Sequence, residues 1–228
     1  MTENISTDYL KIFCFSIFIC LITYGFALTN FSLSIDSESV IYSDMSLSLG
    51  RWGTNLIRYH IFGGIIPYFT LLLSLLCLSF AAVEFTKIFS LNTTLSYVFC
   101  GIFLSFPQMA YHLIFTMQAD VIGLGFLIAT LVVKYFLKSS EEPPLTSALY
   151  FCIASLLFMF VIALYQALAF IPIVIYIIIF FQNTHKENYT FKAEFKKGLR
   201  FILLTIVAVI LYFISVKIFA PEQVIPDF

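Results

Sequence analysis

Apolar residues run almost without interruption along most of this chain, in stretches of about 20 separated by polar or proline-bearing segments. A helix of that length crosses roughly 30 Å of hydrocarbon, and only a helix satisfies its own backbone there without closing a barrel. The runs lack the in–out alternation of barrel strands. The pattern predicts seven crossings, near residues 10–31, 65–86, 92–107, 120–137, 146–164, 167–182 and 199–219. Between the third and fourth, Ser105-Phe106-Pro107-Gln108 interrupts one long apolar stretch, and the polar side chains of His112, Gln118 and Asp120 follow. That interruption predicts a short loop or re-entrant turn joining two helices. The first run is too long for a signal-peptide core and has no Ala-x-Ala site, so it is read as a retained helix. The expected fold class is therefore all-α: a polytopic transmembrane helical bundle forming one domain over residues 1–228.

One segment stands out from the hydrocarbon. A polar island runs from Asp36-Ser37-Glu38 to Leu49-Gly50-Arg51-Trp52-Gly53. From Asp44 onward it has helical order, because Met45, Leu49, Trp52, Leu56 and Tyr59 recur at spacings of four and three. Asp44, Ser48, Arg51, Asn55 and Arg58 form a polar stripe beside them. Two such faces predict a short helix lying in the membrane interface, with Trp52 and Tyr59 at headgroup depth. Gly50 and Gly53 oppose helix formation there.

Composition excludes an ordinary soluble domain: 61% of residues are hydrophobic, 11% are charged and the mean hydropathy is +1.00. The five cysteines, Cys14, Cys20, Cys77, Cys100 and Cys152, all lie in apolar runs without zinc-ligand spacing and read as small core residues. Positive charges set the orientation. With the N-terminus inside, Lys11, Lys87, Lys134, Lys138, Lys186, Lys192, Lys196, Lys197 and Arg200 are cytoplasmic, and only Arg51, Arg58 and Lys217 are outside. This places the island on the outer face. The basic loop Asn183–Arg200 reads foremost as a topology determinant, and otherwise as a contact with anionic membrane lipid. No phosphate-binding glycine loop is present, and nothing points to a nucleic-acid partner.

The island carries the candidate chemistry. Arg51 and Arg58 would lie two turns apart on one helical face, a spacing suited to gripping phosphate oxygens; alternatively they pair with Asp44, Glu38 or lipid headgroups. Asp36, just beyond the first crossing, is placed to act as a general base toward a hydroxyl. Glu38 and Asp120 could share that role, orient an acceptor or hold a divalent cation, the one cofactor considered. Gln108, Tyr111, His112, Gln118 and Asp120 form a second outer cluster, in which Asp120 also reads as a helix cap. Tyr165-Gln166 is a third and weaker outer element.

The runs Ser34-Ile35-Asp36-Ser37-Glu38, Leu49-Gly50-Arg51-Trp52-Gly53, Ile66-Pro67-Tyr68-Phe69-Thr70 and Ser105-Phe106-Pro107-Gln108-Met109-Ala110-Tyr111, followed by Gln118-Ala119-Asp120, resemble the serotype-converting O-antigen glucosyltransferases of the type II family. That family is similar to the GT-C superfamily of polytopic glycosyltransferases. The motifs cover residues 34–120. The resemblance implies a transferase at the outer face of the bacterial inner membrane. Its donor would be a polyprenyl-phosphate hexose, commonly glucose, and its acceptor a lipid-linked O-antigen. By carry-over Asp36 is the catalytic acid of the first outer loop, with Glu38 and Asp120 as further catalytic candidates. The substrate-binding set is Arg51, Trp52, Arg58, Asp44, Gln108, His112 and Gln118. Family members often carry a second acid directly after the first, where Ser37 stands here; this leaves open which acid is the base and whether a metal is bound. The chain is about half the length expected of the family, which implies an N-terminal portion of a longer architecture. Two other readings stay open: a carrier or flippase of lipid-linked sugars, and a remnant that inserts without doing chemistry. The first conflicts with ionisable groups gathered at one face rather than at the bilayer midplane.

Overall fold

The computed structural model describes residues 2–30, 45–114, 116–186 and 189–220; the side chains of residues 2–7, 67, 114, 116–118 and 120 also lie outside the description. The elements are α1 (Thr2–Thr29), α2 (Trp52–Asn55) running into one π-helical turn (Leu56–Ile61), α3 (Pro67–Ile88), α4 (Thr93–Ser105), α5 (Pro107–Ile114), α6 (Thr116–Ser139), α7 (Pro144–Leu164), a 3₁₀ turn (Gln166–Ala169), α8 (Phe170–Thr184) and α9 (Phe191–Phe219). Among the described residues there is no strand. Among the described residues six helical segments are long and apolar enough to cross a bilayer, and the chain is a membrane protein. The segment expected as a third crossing, α4, has 13 residues. At about 1.5 Å per residue it spans roughly two-thirds of the hydrocarbon thickness.

Local chemistry sets the boundaries. Pro67 and Pro144 open α3 and α7 at a position where a missing N–H costs nothing. Asn92 caps α4 by accepting from the Leu95 N–H at 2.9 Å. Phe106, extended at φ −63° and ψ 128° ahead of Pro107, ends α4 and lets α5 begin, where the interruption was expected. At the other end of the chain α9 starts at Phe191, two turns before the predicted crossing at 199.

The chain divides into two compact units. The first comprises the described residues within Met1–Met45 and Leu56–Leu127. Its core is built where α1, α3 and α4 meet, around Ile12, Cys20, Tyr24, Leu75, Leu78, Cys100 and Leu104. The Tyr24 hydroxyl donates to the Leu104 carbonyl at 2.8 Å, satisfying a group left without an intrahelical partner where Pro107 breaks the ladder. α6 packs on α3 backbone to backbone: the Gly123 N–H donates to Ser74 Oγ at 2.8 Å, and a Cβ at Gly123 would run into the Ser74 carbonyl.

The second unit comprises the described residues within Ser46–Asn55 and Ile128–Phe228. α7 and α9 form its main contact, with Phe158, Val161, Leu204 and Ala208 buried there and Phe136 of α6 set edge-on to Phe201, ring centroids 5.0 Å apart. Arg200 donates to the Ser139 carbonyl at 3.0 Å and to Ser147 Oγ at 2.8 Å, placing a cation at the C-terminal end of α6. All five cysteines are free thiols; Cys20, Cys77 and Cys100 are buried as expected, whereas Cys14 and Cys152 lie on exposed helix faces.

Candidate functional site

The described part of the polar island is held inside the second unit. Residues 46–50 form a turn in which Gly50 N–H donates to Leu47 O at 2.9 Å and Arg51 N–H to Ser46 O at 2.7 Å. Gly50 has φ +71°, and a Cβ there would sit 2.7 Å from the Tyr212 hydroxyl, so only glycine fits. The turn delivers Arg51 to the start of α2. A short helix therefore exists in this loop as expected, but it begins at Trp52 rather than at Asp44, because the glycine turns the chain first.

Arg51 is fixed from behind. Its Nε donates to Gln166 Oε1 at 3.1 Å, and its guanidinium lies over the Tyr165 ring, 4.5 Å from the centroid. Gln166 Nε2 donates to the Leu49 carbonyl at 2.7 Å and to the Tyr212 hydroxyl at 3.0 Å. Tyr212 in turn donates to the Gly50 carbonyl at 3.2 Å. The amide of Gln166 is thereby fully used, and the turn, the 3₁₀ segment and α9 close into one ring of hydrogen bonds. Among the described residues none accepts from the two terminal nitrogens of Arg51. Burial pulls its pKa below the ordinary value, while the Tyr165 and Tyr212 phenols push it back up; an arginine so placed keeps its charge at physiological pH.

α2 is anchored on its other side. The Trp52 Nε1–H donates to Ser215 Oγ at 2.9 Å, and its ring stacks on Phe219 with centroids 4.6 Å apart. Thr54 donates to the Leu164 carbonyl at 2.5 Å, capping the C-terminal end of α7. A Cβ on Gly53 would lie 2.9 Å from the Ala163 carbonyl carbon, so α2 touches α7 through bare backbone.

Several expected placements change. Trp52, expected on the apolar stripe of an interfacial helix, is 7% exposed and packs between α7 and α9. Arg58, expected on an open polar stripe with Arg51, is 1% exposed and belongs to the first unit. The winding changes from α at Trp52–Asn55 to π at Leu56–Ile61. Gln108 is exposed and His112 half-buried, one turn apart on α5 in the first unit. Asp36, Glu38 and Asp44 lie outside the described residues, as do the side chains of Gln118 and Asp120 at the start of α6. Among the described residues no three His, Cys, Asp or Glu side chains come together as a metal site. The structure joins Arg51 to the third element, Tyr165-Gln166, and adds Tyr212 and Ser215. Those two were open to detection as polar side chains three residues apart, on one face of an otherwise apolar helix.

Residues 25–222 match the family described as glucosyl transferase GtrII. The chain belongs to that family. No curated protein and no solved structure matches it. The GtrII match extends well past the motifs at 34–120 and takes in α7, α8 and α9. It therefore includes every residue that holds Arg51 and Trp52 in place. A GtrII glucosyl transferase needs a sugar donor and an acceptor, and a fixed guanidinium whose two terminal nitrogens are unused among the described residues is suited to an anionic part of either.

Proposed function

We propose that this GtrII glucosyl transferase moves a glucosyl group from polyprenyl phosphate to a lipid-linked O-antigen at the outer face of the bacterial inner membrane, with its own N-terminus in the cytoplasm. Asp36 takes the proton from an acceptor hydroxyl. The hydroxyl oxygen bonds to the anomeric carbon as the bond from that carbon to the phosphate oxygen breaks. Polyprenyl phosphate leaves with the electron pair, and charge grows on the leaving oxygen. Arg51 meets that charge with its two terminal nitrogens, so its contribution is greatest in the transition state. Glu38 and Asp120 assist in orienting the acceptor or in holding a divalent cation, and Gln108, His112 and Gln118 contact sugar hydroxyls. Asp44 and Arg58 support the loop that carries the donor.

The observation behind this reading is the Arg51 arrangement: Nε tied to Gln166, ring face against Tyr165, and the remaining donors unused among the described residues. It is tested in vesicles containing the full chain, polyprenyl-phosphate glucose and acceptor. Asp36→Asn is expected to abolish transfer while the protein still inserts; retained turnover overturns the base assignment. Arg51→Ala is expected to lower donor kcat/KM by about 10- to 100-fold, the worth of a charge-assisted hydrogen bond, through kcat as well as donor KM and with the acceptor KM unchanged. Equal loss toward both substrates overturns the phosphate role.

A further inference from the structure

Away from Arg51, α8 and α9 diverge around an apolar cavity of about 340 Å³. Ile173, Tyr176, Ile177 and Phe180 line it from α8, and Leu199 and Ile202 from α9. Its volume falls in the range of ligand pockets, about 300–1,000 Å³. The helices are pinned together beside it, by Tyr176 stacked on Phe201 at 4.2 Å and by Asn183 Nδ2 donating to Glu194 Oε2 at 3.1 Å. Gly198 leaves the cavity open: a Cβ there meets nothing within 4 Å.

Charge gathers at one end. Lys192 and Lys196 lie seven and three residues before Leu199 and flank the Leu199 edge of the α9 face that lines the cavity. Lys196 is thus less than one turn, about 5 Å, from a lining residue along the helix axis. Both lysines are exposed and have no ion-pair partner among the described residues, and exposed Lys186 lies in the adjoining turn. The nearby acid is occupied: Glu194 accepts from Lys197 at 2.8 Å and from Asn183. Arg200 is likewise committed to Ser139 and Ser147. Glu187 lies outside the described residues.

We infer that this groove binds one anionic glycerophospholipid, with an acyl chain in the cavity and the phosphate at Lys192 and Lys196. An apolar slot alone would accept any lipid tail. Two lysines beside it, without an ion-pair partner among the described residues, select a headgroup with net negative charge over a zwitterionic one, because the choline or ethanolamine cation of the latter meets the same lysines. The site is separate from the Arg51 ring and does not depend on the donor assignment.

The experiment titrates the purified full chain in detergent with phosphatidylglycerol, and separately with phosphatidylcholine of the same chains, and reads bound lipid by native mass spectrometry. The parent is expected to prefer phosphatidylglycerol. Lys192→Gln with Lys196→Gln is expected to lower its affinity about tenfold or more, leaving phosphatidylcholine unaffected. Gly198→Leu fills the cavity from inside the helix and is expected to lower the affinity for phosphatidylglycerol. It should melt no lower than the parent, since leucine is the better helix former. Equal parent affinity for the two lipids, or unchanged phosphatidylglycerol affinity in either variant, overturns the site. A lipid-free dimer that Gly198→Leu dissociates also overturns it, assigning the groove to a second copy.

Discussion

Replacing Gln166 by alanine would test whether the orientation of Arg51, rather than its charge alone, matters. The substitution removes an acceptor 3.1 Å from Arg51 Nε and two donors, 2.7 Å from Leu49 O and 3.0 Å from the Tyr212 hydroxyl. A hydrogen bond to a charged group contributes about 1.5–3 kcal/mol and a neutral one about 0.5–1.5 kcal/mol. Gln166 is half-buried, so water replaces part of this, and the expected loss of stability is about 2 kcal/mol. The guanidinium then keeps only its contact with the Tyr165 ring, worth about 0.5–1 kcal/mol, and samples several directions. Donor kcat/KM should fall about 10- to 100-fold, with the acceptor KM little changed. Gln166→Glu still offers an acceptor to Arg51, but it neutralises the guanidinium and gives the Leu49 carbonyl no donor. Donor use should therefore fall although Arg51 stays in place. The assays are thermal unfolding in detergent and donor kinetics in vesicles. Unchanged donor kcat/KM in both variants would refute the reasoning, and lost stability without a kinetic effect would reduce Gln166 to a structural role.

Trp52→Phe and Ser215→Ala should each cost about 1 kcal/mol in thermal or denaturant unfolding, and the double variant should cost little more, because both remove the same 2.9 Å hydrogen bond while the stacking survives. Gly53→Ala should cost about 1–3 kcal/mol and weaken donor binding together with stability, since its methyl group has only the unyielding Ala163–Leu164 backbone to displace. Tyr176→Phe should leave stability unchanged or raise it by about 1 kcal/mol, because the buried hydroxyl it removes has no hydrogen-bond partner among the described residues and the stacking on Phe201 is kept; a clear drop in melting temperature would contradict this.

Hydropathy made the spanning helices legible because bilayer thickness imposes a length on them, and proline made the break at 105–108 legible because it removes an N–H locally. α9 shows the limit of the first signal. It continues two turns beyond the apolar run, through Lys192, Lys196 and Lys197, because backbone hydrogen bonding does not stop where hydrocarbon stops. The island shows the limit of periodicity. Spacings of three and four from Asp44 to Tyr59 suit a helix, yet Gly50 at φ +71° turns the chain before one can start. Trp52 was legible as an aromatic anchor, but its destination depends on Ser215, 163 residues away, which no local window contains. The conversion of Arg51 and Tyr165-Gln166 from separate outer elements into one ring has the same cause: the residue that completes it, Tyr212, is contributed by α9.

That dependence on α9 has a consequence for how the protein is made. Residues 46–55 leave the ribosome long before α7 and α9, whose Leu164 and Ser215 hold them 110 and 163 positions later. Until α7 and α9 are made, the loop bearing Arg51 lacks these two anchors, and the entropy of closing so long a stretch of chain is met only when α9 inserts. The Arg51 ring should therefore form only after α9, and a chain halted before Tyr212 would carry every described spanning helix up to α8 and still lack the ring.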